Sequence, residues 1–255
     1  MTMITSLANP RVKAARALHR RRMREREGKI LLEGARLVHD AFQAGVAFEA
    51  LFYTSDQAAH IPEALRSCAW LVSEEVMQAL SDTVTPQGIV AVAERPQLAW
   101  PTSATLLLIA DNVRDPGNLG TLLRAAAGAG VEGVLLPKGT VDVWSPKVLR
   151  AGMGAHFRLP VRAGLTWEEI AQAVNGLTVY VADARGAVRY FDVDWTAPTV
   201  LIVGGETEGI GEAARALAHT AVAIPLAREV ESLNAAMAGT VILFEARRQR
   251  LMRST

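Results

Sequence analysis

A chain of 255 residues, half of them hydrophobic and with 27 Lys and Arg against 26 Asp and Glu, has enough apolar surface for one large or two modest domains, which excludes a chain dominated by disorder. Its one cysteine, Cys68, excludes an internal disulfide framework and a multi-cysteine metal site and fits a reducing compartment. No stretch approaches the roughly 20 apolar residues of a membrane helix and the N-terminus lacks the apolar core of a signal peptide, so the cytoplasm is the expected location.

The net charge of +1 conceals an uneven distribution. Between Arg11 and Lys29 nine basic residues (Arg11, Lys13, Arg16, Arg20, Arg21, Arg22, Arg24, Arg26 and Lys29) face two acids, Glu25 and Glu27, which leaves the rest of the chain slightly acidic. Such a run reads either as a solvated helix or as an arm that contacts phosphates, since clustered arginine releases counterions from a nucleic acid without reading its sequence. After this helical run, ILLEG reads as a strand, ARLVHDAFQAG as an amphipathic helix and FEALFYT as a second strand. PEALRS then reads as a helical turn, AWLV as a strand, SEEVMQAL as a helix capped by Ser73, and GIVAVAE as a strand. Residues 1–95 are thus expected to form a small α/β domain, and the proline-containing residues 96–104 a linker.

Over residues 105–255 the pattern restarts with the apolar strand TLLLIA, a polar loop, the helix LGTLLRAAAGAG and the strand GVLL. Helical SPKVLRAGMG and TWEEIAQAV separate the further strands LTVYVAD and TVLIVGG, whose lack of polar alternation predicts a parallel sheet covered on both faces. A last helix is expected from about Ser232 to Arg250, buried in its first half and solvated at its end.

Three loops at expected strand ends carry polar residues, and ligands of open α/β sheets sit at that edge. In the first, Asn118 reads as a helix cap or as a ligand group, while Arg124, among Leu123, Ala125, Ala126 and Ala127, is expected to need an anion or hydroxyl partner. In the second, Gly204 and Gly205 allow a close backbone approach, and Glu206 is either an N-cap for a helix near Ile210 or a site residue. No dinucleotide or Walker A fingerprint is present. In the third, Ser232 is a natural N-cap, and Asn234 points to a polar spot shared with the other two loops. The five histidines are scattered without ligand spacing, so no metal is expected.

These residues resemble the SpoU (TrmH-like) branch of the SPOUT RNA methyltransferases. The first family motif is similar to Asn118-Leu119-Gly120 with Arg124, the second to Gly204-Gly205-Glu206, and the third to Ile224-Pro225 followed by Ser232-Leu233-Asn234. The N-terminal part, with ILLEGARLV and DTVTPQGIVAV, resembles the family's L30e-like substrate domain. One departure is visible. Ala235-Ala236-Met237-Ala238 stands where the family often has Val-Ser-Val-Ala, and the preceding turn carries Arg228, Glu229 and Glu231 where small residues are usual.

The resemblance implies an α/β fold with a deep trefoil knot in a parallel-sheet domain behind the small L30e-like one, and a homodimer formed through the C-terminal domain. It implies S-adenosylmethionine as methyl donor, bound near Gly204, Gly205, Ile224 and Leu233, and a ribose 2′-hydroxyl of structured RNA as acceptor, ribosomal ahead of transfer RNA. Arg124 would hold the hydroxyl and its phosphate, Asn118, Ser232 and Asn234 would position it, and Glu206 would order the second loop. Arg11, Lys13, Arg20, Arg21, Arg22 and Arg24 would contact RNA. The competing expectations are a catalytically silent RNA-binding protein of the same fold and a nucleotide-dependent α/β enzyme of another class.

Overall fold

The computed structural model describes residues 3–206, 209–228 and 230–253. The chain forms two compact units, one of Met1–Gln97 with Trp144–Phe157, the other of Leu98–Val143 with Arg158–Thr255.

The first unit is a four-stranded sheet with helices on both faces. Its strands β1 (Lys29–Glu33), β2 (Phe48–Tyr53), β3 (Ala69–Leu71) and β4 (Ile89–Glu94) lie in the order β1-β4-β2-β3, with β4 antiparallel to both neighbours and β2 parallel to β3. Alternation sorts the strand residues. Ile30, Leu32, Leu51 and Ala91 pack with Leu37, Val38 and Ala41 of α3 (Ala35–Gln43), whereas Leu31, Phe52, Val90 and Val92 pack with α1 (Pro10–Ala17) and α4 (Glu74–Leu80). Ser73 caps α4 as expected, its Oγ accepting from the Val76 amide.

The basic run is two helices. After α1, capped by Asn9, a break at residues 18–20 precedes α2 (Arg21–Glu27), which ends on Gly28 at φ +64°. Arg24 is the hinge of this break. It is only 4% exposed, and its Nη1 donates to the Leu18 carbonyl at 2.5 Å and the His19 carbonyl at 2.8 Å, satisfying the end of α1.

The continuous block expected over 105–255 is interrupted, because Trp144–Phe157 belongs to the first unit. Within this segment α6 (Pro146–Gly152) packs on β1, with Leu149 and Phe157 in the α3-side core. Arg150 donates to buried Glu33 at 2.8 Å and pairs with Asp82, while Ser81 and Thr83 also donate to Glu33. Removing one partner of a buried pair leaves an uncompensated charge. Arg150→Ala is therefore expected to cost the first unit about 3 kcal/mol, read as a lower urea midpoint, whereas a change below about 0.5 kcal/mol would show that the network is solvated.

The second unit is a seven-stranded sheet in the order β7-β6-β5-β10-β8-β11-β9, parallel at every pairing. Its strands are β5 (Leu106–Asp111), β6 (Gly133–Pro137), β7 (Val161–Leu165), β8 (Thr178–Ala182), β9 (Val188–Arg189), β10 (Thr199–Gly204) and β11 (Thr220–Ala223). The central strands β5, β6 and β10 are buried almost throughout, as their unbroken apolar runs require. Helices α5 (Pro116–Ala129) and α9 (Ala235–Arg253) pack together, while α7 (Trp167–Ala173) and α8 (Glu212–Leu217) supply Ile170 and Ala214 to a core with Ile109, Val181 and Ile202.

Two expectations for the last helix are corrected. It begins at Ala235, capped by Asn234, whose Oδ1 accepts from the Met237 amide, so Ser232 lies outside it. Its first half is not wholly buried either. Ala236, Gly239, Ile242 and Leu243 face the core, while Met237 is 56% and Phe244 48% exposed.

Candidate active site at the carboxyl edge of the sheet

The carboxyl ends of β5, β10 and β11 deliver the three polar loops to one place. Asp115, not Asn118, caps α5, its Oδ1 accepting from the Asn118 amide at 2.8 Å. The Asn118 side chain is thereby released from capping, and its Nδ2 donates to Glu206 Oε1. Asn234 Nδ2 donates to the same Oε1 at 2.5 Å and to Asn118 Oδ1 at 3.0 Å. One carboxylate oxygen therefore ties α5, the loop after β10 and the start of α9 together, as charge-assisted hydrogen bonds do strongly. Glu206 is no N-cap either, since α8 begins after Gly211 with no side-chain cap.

The glycines of the second loop serve the protein's own backbone. A Cβ on Gly205 would overlap the Asn112 carbonyl, and one on Gly204 would come within 2.6 Å of the Gly209 carbonyl oxygen. Gly205 N–H donates to the Asp111 carbonyl at 2.8 Å, and the buried Asp111 carboxylate accepts from the Gly211 amide at 2.8 Å. Asp111 is a structural anchor that sequence reasoning passed over, although an acid closing the apolar strand LLLIAD was its visible sign.

Beside the cluster lies a cavity of about 370 Å³. Gly204, Gly205, Ile224 and Leu233, all expected near the donor, line it together with Glu206, Ser232 and Asn234. Its wall is otherwise largely aliphatic, through Val203, Ile210, Val222, Leu226 and Ile242, with Asp183 and Arg215 as a further ion pair. A volume of this order suits a small organic ligand.

Arg124 is placed differently from expectation. It is exposed on α5 with Thr121 and Gly128, because Leu119, Leu122, Leu123 and Ala126 take the buried face at helical spacing. Its guanidinium makes no hydrogen bond or ion pair with the described residues, and it does not line the cavity. Of the expected RNA contacts, Lys13, Arg20 and Arg22 are exposed, Arg11 stacks over Trp70 at 4.2 Å from the ring centroid, and Arg21 pairs with Glu25 at 2.7 Å. Arg24 is withdrawn by its burial against the end of α1. Glu229 lies outside the described residues. Among the described residues no group of three His, Cys, Asp or Glu side chains is placed to hold a metal ion.

A parallel α/β sheet with a glycine-rich loop, an Asn–Glu–Asn cluster and a ligand-sized cavity at its carboxyl edge has the build of a ligand-binding α/β domain. The chain matches the SpoU rRNA Methylase family over residues 105–244 and the MRM3-like substrate binding domain over residues 9–91. It belongs to the SpoU rRNA Methylase family and is a methyltransferase, which bears out the resemblance carried by the three motifs.

Among its relatives, the human mitochondrial rRNA methyltransferase 3 is 39% identical, over 90% of this chain and 70% of the relative. The Bacillus subtilis 23S rRNA (guanosine(2553)-2′-O)-methyltransferase RlmP is 33% identical, over 97% of this chain and the whole of that one. Among solved structures, an AdoMet-bound rRNA methyltransferase from Sinorhizobium meliloti superposes with a TM-score of 0.84 at 33% identity, covering 97% of each chain. A crystal structure of an RNA 2′-O ribose methyltransferase does so at 0.83 and 33%, covering 98% of this chain and all of that one.

Proposed function

We propose that this protein methylates a ribose 2′-hydroxyl of ribosomal RNA, with S-adenosylmethionine as donor. The single observation that carries the reading is the convergence of Asn118 and Asn234 on one carboxylate oxygen of Glu206 beside the cavity. The cavity fits the donor chemically, since its aliphatic wall suits an adenine ring and its polar ends suit hydroxyl and amino-acid groups. When bound, the donor supplies an electrophilic methyl group on a sulfonium sulfur. The relatives named for ribosomal RNA align over both units of this chain, which favours that RNA.

The residues then divide the work. Glu206 fixes the three loops, Asn118, Asn234 and Ser232 position the acceptor, and Arg124 binds the hydroxyl and its adjacent phosphate. A hydroxyl attacks a methyl carbon in line only as its proton departs, so the site must supply orientation and charge stabilisation. A guanidinium remains protonated in proteins and cannot accept that proton. Arg124 therefore acts by stabilising the developing alkoxide, and phosphate or water takes the proton. The first unit presents Arg11, Lys13, Arg20, Arg21 and Arg22 to the RNA backbone, the family's trefoil-knotted threading of the second unit is retained, and the reducing environment suited to a lone cysteine is the cytoplasm.

The active form in this reading is a homodimer through the C-terminal unit, supported by an α9 that is apolar on both faces: Met237 and Phe244 remain exposed opposite the buried Ala236, Gly239 and Leu243. Phe244→Glu is expected to convert the dimer to a monomer in sedimentation equilibrium. An unchanged mass would remove this face from the interface.

Incubation with tritiated donor and separated ribosomal and transfer RNA pools, followed by mapping of the 2′-O-methyl position, tests the whole. Label in ribosomal RNA is expected. Label confined to transfer RNA would move the substrate, and none in either pool would point to a silent RNA-binding protein.

A further inference from the structure

The cavity beside the Asn118–Glu206–Asn234 cluster has a second charged feature that the methyl-transfer reading leaves unused. Asp183 directly follows β8, the neighbour of β10 in the sheet, and Arg215 stands on α8. Both line the cavity, and Arg215 Nη1 donates to Asp183 Oδ2 at 2.7 Å. Besides Glu206 they are the only charged residues among the described lining.

The carboxylate is held in a defined position. Oδ1 accepts from the Arg185 amide at 2.9 Å, inside a turn closed by the Gly186 amide on the Asp183 carbonyl at 2.9 Å, and Oδ2 accepts from Arg215. The Asp183 side chain is 18% exposed, and two of the roughly four acceptor directions of a carboxylate are used by these bonds. The Arg185 amide, then Arg215, hold its carboxyl below the usual carboxylate range, so it is ionised at neutral pH. As a stabilising ion pair it is a weak device, since Arg215 is 54% exposed. As an acceptor in a ligand cavity it is well made. In dinucleotide-binding parallel sheets an acid at the carboxyl end of the strand beside the glycine-loop strand meets a ribose hydroxyl; this chain lacks that glycine fingerprint, yet Asp183 stands at the equivalent place, at the end of β8 beside β10.

We propose that Asp183 accepts hydrogen bonds from the ribose hydroxyls of the methyl donor's nucleoside, with Arg215 holding the carboxylate in place; this rests on the reading of the cavity as the donor site. Asp183 thereby selects a ribonucleoside donor independently of the methyl-transfer cluster.

The test is calorimetric binding of S-adenosylhomocysteine and of its 2′,3′-dideoxy analogue to the unmodified protein and to Asp183→Ala and Asp183→Asn. Asparagine forms the same turn and so preserves the local fold. Asp183→Ala is expected to weaken S-adenosylhomocysteine roughly tenfold or more, Asp183→Asn to weaken it by a smaller factor, and both to bind the dideoxy analogue as the unmodified protein does. Equal weakening of both ligands would show a purely structural role and overturn the proposal, as would unchanged affinity for S-adenosylhomocysteine. Failure of the unmodified protein to bind S-adenosylhomocysteine would sink the donor-site reading itself.

Discussion

Replacing Glu206 by alanine is expected to lower the single-turnover rate of methyl transfer by about 100-fold, the scale of a catalytic group displaced by about an ångström. The residue is exposed and buries no apolar surface, so global stability should hardly move. What is lost is the acceptor shared by the Asn118 and Asn234 side-chain amides. Without it each amide can rotate, and three segments far apart in sequence lose their common reference point. Glu206→Gln keeps the shape but weakens the shared acceptor by removing its charge, and its own amide competes for the same space, so it should fail nearly as badly. Retention of more than half the rate in either variant would show that the three loops are held by their backbones alone.

Arg124→Ala is expected to reduce the rate constant by about a thousandfold, the range for a group that stabilises charge developing in a transition state, while leaving donor affinity and melting temperature unchanged. Its exposure makes this a clean experiment, because no packing is removed. Lysine in its place should restore little, since a point charge lacks the planar fork that grips a phosphate and a hydroxyl together. Arg124 makes no polar contact with Asn118, Glu206 or Asn234 of its own chain, so under the homodimer proposed above its guanidinium would serve the cluster of the partner subunit. Co-refolding the inactive Arg124→Ala and Glu206→Ala proteins should then restore a substantial fraction of activity through mixed dimers. Persistent inactivity of the mixture would return Arg124 to a site within one chain.

Much of this is legible in the residues. Apolar runs without alternation mark the buried parallel strands β5, β6 and β10, and the spacing of Leu119, Leu122, Leu123 and Ala126 marks α5. The short edge strands are not legible, since β9 has two residues and β7 is exposed along most of its length, so neither leaves a hydrophobic signature. Arg124 misleads because its sequence neighbours are apolar, yet neighbours in sequence point in different directions on a helix. The caps show the same limit. Asp115 and Asn118 are both good N-cap residues three positions apart, and only the actual start of α5 decides which side chain is spent on the backbone and which is free for the site. Arg24 is the converse case, a residue of the right type in α2 whose side chain is drawn inward by the carbonyls of Leu18 and His19 at the end of α1.

The excursion of Trp144–Phe157 into the first unit makes the two modules inseparable by a single cut. The polypeptide passes between them three times, near Gln97, Val143 and Phe157, so a shortened chain ending at the linker would strip the N-terminal module of α6, uncover the core that Leu149 and Phe157 seal, and leave the buried Glu33 without its cation. Nicking the linker with a protease would accordingly leave the two halves still travelling as one molecule. Any attempt to graft this N-terminal module onto another catalytic partner must carry the 144–157 segment with it.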